Sequence, residues 1–166
     1  MTNTLTPPAT AAVINAQQLL AHWQGHRKLT RKTIEAFPED KLFTYSIGGM
    51  RPFSELVMEF IEMAGPGING IQSGVWKNYG DTGKEKPTTK EALLQLWDEI
   101  TATINDVWPT IAPERFQQDD VAFGQWPGKI YWTLFYFIDN EIHHRGQGYV
   151  YLRSLGIEPP AFWDRQ

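Results

Sequence analysis

The stretch from Gly128 to Arg153 constrains the fold more than any other part of the chain. It opens with a run of apolar and aromatic residues, Ile130 to Ile138. That run suits a helix and is too short for a bilayer span, which takes about 20 apolar residues. At about 100° per residue, Ile130, Leu134, Phe137, Glu141, His144, Gly148, Leu152 and Leu155 share one face. A helix with such a stripe must bury it against other elements. Its middle nevertheless carries Asp139, Asn140, Glu141, His143, His144 and Arg145. Polar groups inside an apolar stripe are unfavourable unless something pairs with them. The segment therefore predicts a central helix and also the place where chemistry would sit.

The rest of the chain supplies partners for that helix. A lead-in over 1–10 precedes a first helix from Ala11 to Ala36, with Leu19, Trp23, His26, Thr30 and Phe37 on one stripe. Pro38 stops it, because the residue before a proline resists the helical region. A connector over 41–51 leads to a second helix, Pro52 to Ala64, with Phe53, Leu56, Val57, Phe60 and Met63 inward. Gly65-Pro66-Gly67 reads as its end, and the glycine-rich segment up to Thr88 as a long crossover loop. Thr88 and Glu91 form a capping-box pattern at the start of a third helix, which Pro109 ends. A second connector over 113–127 precedes the fourth helix, from Gly128 to Leu155, with Gly156 as its C-terminal cap. No strand signal stands out. The expectation is an all-α, single-domain four-helix bundle over 1–166, with the long connection between helices two and three and a packed tail over 157–166.

Composition narrows the function. With no cysteine, disulfides, thiolate zinc sites and a protein thiol nucleophile are excluded. A formal charge of −4 gives no global attraction for a polyanion, and the densest basic run, Arg27-Lys28 with Arg31-Lys32, reads as a solvated helix face. Nucleic acid and membrane are therefore not expected partners, whereas a small-molecule substrate is. The N-terminus has neither the basic nor the apolar segment of a signal peptide, so a cytoplasmic location is expected. Tyr131, Phe135, Ile138, Ile142 and Tyr149 lie almost opposite the core stripe of the fourth helix. Either a second copy of the chain covers this face, making a homodimer, or the loops and tail do.

The run Glu141-Ile142-His143-His144-Arg145-Gly146-Gln147, followed by Tyr151-Leu152-Arg153 and Leu155-Gly156-Ile157-Glu158-Pro159-Pro160, resembles the last helix and tail of the DinB/YfiT-like family. The resemblance implies a four-helix bundle with a divalent metal between helices two and four. Characterised relatives include thiol S-transferases that use small thiols, so a low-molecular-weight thiol is implied as a co-substrate. The family commonly offers three histidines. Here the matching positions are Glu59, Asn140 and His144, so the implied metal set is one carboxylate, one amide and one imidazole. That set would bind zinc or nickel less tightly than three imidazoles and would make manganese more plausible.

Around this triad, Trp23 and His26 of the first helix, Asp139, Glu141, His143 and Arg145 are candidates for the pocket or for groups that orient the ligands. His26 is a candidate for a missing ligand. Glu141 and Arg145 stand four apart and read as a helical ion pair, with orientation of a substrate carboxylate as Arg145's other role. Trp23, Trp76 and Tyr136 are expected to line a cavity. Two functions follow: a metal-dependent transferase or hydrolase, or a non-catalytic ligand-binding bundle that has lost tight metal binding.

Overall fold

The computed structural model describes residues 13–166, so the lead-in expected over 1–10 and the helix start expected at Ala11 lie outside the described residues. The protein is mostly helical. Four long helices, α1 (Ala16–Ala36), α3 (Phe53–Ser73), α4 (Lys90–Val107) and α5 (Ile130–Ser154), are joined by a single-turn α2 (Glu39–Leu42) and short connecting elements. Helix α3 packs against α4 and α5, and α1 packs against the same two. The stripes read from the sequence face the interior: Leu19, Trp23, His26 and Thr30 on α1, Phe53, Leu56, Val57, Phe60, Met63 and Ala64 on α3, and Ile130, Leu134, Phe137, Glu141 and Leu152 on α5 are buried. Among the described residues, no helix is long and apolar enough to cross a membrane.

Three local expectations are corrected. The chain is not all-α: β1 (Asp119–Ala122) and β2 (Trp126–Lys129) form an antiparallel hairpin with Asp119 opposite Lys129 and Ala122 opposite Trp126. Phe123 and Gly124 turn it with φ of 53° and 69°, and Gln125 N–H closes the turn on Ala122 O at 3.0 Å. Positive φ at both central residues matches the twist of a hairpin. It is unfavourable at an aromatic residue, so the surrounding packing has to hold Phe123 there.

The second long helix does not end at Gly65-Pro66-Gly67 but runs through Pro66 to Ser73. Burial outweighs the lost backbone hydrogen bond: Gly65, Pro66, Gly67, Ile68 and Ile71 are all buried. The helix stops at Gly74, left-handed at φ 74°, whose N–H bonds Gly70 O. The long connection is therefore 74–89. Helix α4 is capped by Thr89, not Thr88, through Ala92 N–H.

On the outward side of α5, Tyr131, Phe135 and Ile142 are exposed, whereas Ile138 is fully buried and interrupts the apolar face expected there. Of the tail, Pro159 is buried, while Phe162 and Trp163 remain exposed.

Candidate functional site

Helices α3 and α5 run antiparallel and approach closely at two points. Phe53 of α3 fills the notch left by Gly148 of α5, where a Cβ would stand 2.4 Å from the ring; Phe137 of α5 fills the notch left by Gly67 of α3, at 2.6 Å. Between these contacts a polar cluster bridges the helices. Glu59 Oε1 accepts from Asn140 Nδ2 at 2.9 Å and lies 3.3 Å from His144 Nε2. Its other oxygen accepts from Arg51 Nη2 at 2.5 Å. His144 is held from behind by Gln147, Nδ1 to Oε1 at 3.1 Å, and stacks on Phe60. Burial by itself would raise the Glu59 carboxyl, but the Asn140 and Arg51 hydrogen bonds and the Arg51 and His144 charges outweigh it, so the group sits below the usual carboxylate range.

Glu59 also faces an open cavity of about 600 Å³ bordered by α3, α5, the hairpin and the long connection. Six of its eleven lining residues are aromatic: Tyr79, Phe123, Trp126, Trp132, Tyr136 and Phe137. Tyr136 was expected there. Trp23 is instead a core residue packed near Trp108 and Phe137, and Trp76 lies behind Phe123 at 5.2 Å without lining the cavity. Tyr79, Phe123 and Trp126 sit in connecting segments, where no helical period marks them for inward placement.

This arrangement, two aromatic-in-glycine contacts bracketing a carboxylate–amide–imidazole cluster on antiparallel helices, goes with a family match along nearly the whole chain. The sequence model of the DinB family matches residues 1–165. The chain belongs to the DinB family. It is 23% identical over 152 residues to the uncharacterized protein YjoA of Bacillus subtilis (strain 168), covering 91% of this chain and 97% of that one. The crystal structure of the DinB-like YjoA protein has a TM-score of 0.71 over 90% of this chain and 99% of that chain. A DinB-like protein of Bacillus cereus ATCC 10987 gives 0.70 at 16% identity, over 87% and 95%. These likenesses establish the DinB fold.

Whether this DinB family member's residues fit a divalent cation is decided by the donor set. Of the Glu59 oxygens, one is taken by the Arg51 guanidinium, and the other accepts from the amino side of the Asn140 amide. A cation there would face Arg51's charge across one carboxylate and meet an amide donor where it needs an oxygen. The oxygen of that amide, Asn140 Oδ1, is buried without a partner, but a single neutral oxygen does not offset these two features. Among the described residues, no group of three or more His, Cys, Asp or Glu side chains could hold a metal ion. As the side chains stand, Arg51 and Asn140 take both Glu59 oxygens, so the cluster is not arranged around a divalent cation.

The remaining candidates belong elsewhere. Asp139 and His143 are exposed and make no hydrogen bond to the cluster. Glu141 and Arg145 are buried in a second network, between α1, α4 and α5. Thr30 Oγ1 donates to Glu141 Oε1 at 2.6 Å, and the Arg145 and Arg27 guanidiniums lie 3.7 and 4.0 Å from that carboxylate. Burial pushes the Glu141 carboxyl up, opposed by Arg27, Thr30 and Arg145. Arg27 was expected on a solvated face and is instead wholly buried, stacked 3.7 Å from Trp97 and donating to Trp97 O and Thr101 Oγ1. His26 does not supply a missing ligand to Glu59: its Nδ1 faces Arg145 Nη2 at 3.0 Å.

That position makes His26 an acid-sensitive point. Burial, then the charges of Arg145, Arg165 and His22, pull it down to about 3. An unfolded histidine titrates near pH ~6.5. Below that pH the unfolded chain binds a proton that the folded protein refuses, so stability is full above about 6.5 and is lost as pH falls toward about 3. Urea midpoints measured across this window are expected to fall less steeply for His26→Gln than for the wild type.

Proposed function

We propose that this DinB family member is a small-molecule-binding protein built as a four-helix bundle, and that its site is the aromatic cavity ending at Glu59. The observation that carries this reading is the double role of Glu59. Its side chain lines the cavity, and Arg51, Asn140 and His144 hold both its oxygens in place. A carboxylate oriented in this way fixes one end of a ligand, while the rings bury the remainder. A volume of about 600 Å³ suits a ligand of drug-like size. Asn140, His144 and Gln147 act as positioning residues for that carboxylate.

The metal-dependent transferase or hydrolase that the family resemblance implies is the competing reading. It requires Arg51 to leave Glu59 and the Asn140 amide to reverse. The deciding experiment titrates protein purified without chelator with 2-naphthol, following tryptophan quenching, with and without EDTA, beside elemental analysis for metals. Saturable binding unaffected by EDTA, with metal well below one equivalent, is the expected result. One equivalent of metal retained by the wild type and lost in Glu59→Ala and His144→Ala, with binding abolished by chelation, would overturn the proposal in favour of the enzyme.

A further inference from the structure

The geometry points to an organic cation, an alkylated ammonium group carried on an apolar or aromatic body, as the ligand class of this cavity; the inference rests on the small-molecule reading above. Among the described residues, the lining contains one ionised side chain, Glu59, and no lysine, arginine or histidine. Around it the π-faces are unusually dense. Tyr79, Phe123 and Trp126 meet edge to face at 5.5, 5.7 and 5.9 Å, and Trp132 stacks on Tyr136 one turn further along α5. Trp126, Trp132 and Tyr136 are 46%, 54% and 51% exposed, so three neighbouring rings stay wet rather than entering the core. Aromatic faces carry the negative end of the ring quadrupole and attract cations, most strongly where water is excluded.

Charge balance favours a cation over a neutral or anionic guest. Glu59 is mostly buried, whereas Arg51, which neutralises it on paper, is nearly half exposed and does not line the cavity. A bulky ammonium held among the rings stays farther from Arg51 than a metal ion bound directly to the carboxylate would, so the guanidinium opposes it less. Burial pushes the Tyr79 hydroxyl up to about 12, with the Glu59 and Glu62 carboxylates adding to it and Arg51 opposing. Glu62 is only loosely paired, 3.7 Å from Lys86. An anionic guest would meet Glu59 with nothing of opposite sign on the walls. A bulky, weakly hydrated ammonium also gains ring contacts that a hydrated metal ion cannot make.

Calorimetric and tryptophan-quenching titrations of the full chain with benzyltrimethylammonium, its neutral carbon isostere neopentylbenzene, and phenylacetate test this. The cation is expected to bind about tenfold more tightly than the isostere, and phenylacetate not at all. Glu59→Gln should lower the ratio of cation to isostere affinity while leaving the part that the rings supply. Trp132→Leu, an exposed position where folding is not at stake, should lower that ratio while keeping apolar contact. If Glu59→Gln does not fold by circular dichroism, Trp132→Leu decides. Equal affinity of the wild type for cation and isostere, or a ratio that Trp132→Leu leaves unchanged, overturns the cation inference and leaves the cavity reading standing. Failure of every probe, 2-naphthol included, overturns both.

Discussion

Glu141→Ala is expected to remove about 3–5 kcal/mol of stability, because it strands charges in the interior. Arg27 and Arg145 are 0% and 5% exposed, and Glu141 is the carboxylate that lies between them. Removing it also takes from the Thr30 hydroxyl its acceptor at 2.6 Å, leaving the His26 carbonyl at 3.2 Å, and opens a void beside Trp23. The remaining partners of Arg27, the Trp97 carbonyl and the Thr101 hydroxyl, are neutral and cannot balance a full charge. Urea denaturation reads the loss directly, as a lower midpoint at unchanged slope. Arg31→Ala is the internal control. Its ion pairs with Glu35 and Asp98 stand at the surface, where such a pair contributes about 1 kcal/mol or less. Equal losses in the two variants would mean that the buried network does not behave as a unit.

What the sequence made legible follows from periodicity. Leu19, Trp23, His26 and Thr30 on α1, or Phe53, Leu56, Val57 and Phe60 on α3, repeat at helical spacing, and each is buried. Glu141 was marked by its place in the stripe of α5. Arg145, four residues later, lies on the same side and is buried with it, so the spacing carried that signal as well. Arg27 had no such mark. It stands in a basic run, and only the arrival of Trp97 from α4, with a ring and a carbonyl for the guanidinium, makes burial tolerable.

Tertiary contacts overrode local signals elsewhere. Pro66 between two glycines reads as a stop, yet those glycines admit Ile100 and Phe137 so closely that the helix is held through the proline. The hairpin contains Asp119, Asp120, Pro127 and Gly128, none of them a strand former. With it went the chance to see that Phe123 and Trp126 line a cavity. Glu59 illustrates the other limit. It stands outside the apolar stripe of its helix, and only the family resemblance set it beside Asn140 and His144.

The glycines of α5 give the second large effect, and two of them separate by sign. Glycine inside a helix is less favourable than alanine by roughly 0.5–1 kcal/mol. Among the described residues, nothing lies within 4 Å of where a Cβ would stand at Gly146, so Gly146→Ala is expected to stabilise the protein by about that amount. Gly148, two residues on, faces Phe53, with ring atoms at 2.4, 2.7 and 2.8 Å from the corresponding position. Phe53 cannot swing away, because it is fully buried and stacked on Phe37 at 4.7 Å. Gly148→Ala should therefore lose more to overpacking than it gains from propensity, and Gly148→Leu should lose about 3 kcal/mol. The same wedge pushes α3 from α5 at one of the two contacts that bracket Glu59, Asn140 and His144. Thermal melts of the three variants, with 2-naphthol titrations beside them, should show Gly146→Ala melting higher at unchanged affinity. Gly148→Leu should melt lower and bind more weakly. A Gly148→Leu variant that binds as the wild type does would show that the cluster tolerates a wider gap between the helices, and that the close approach at Gly148 serves packing alone.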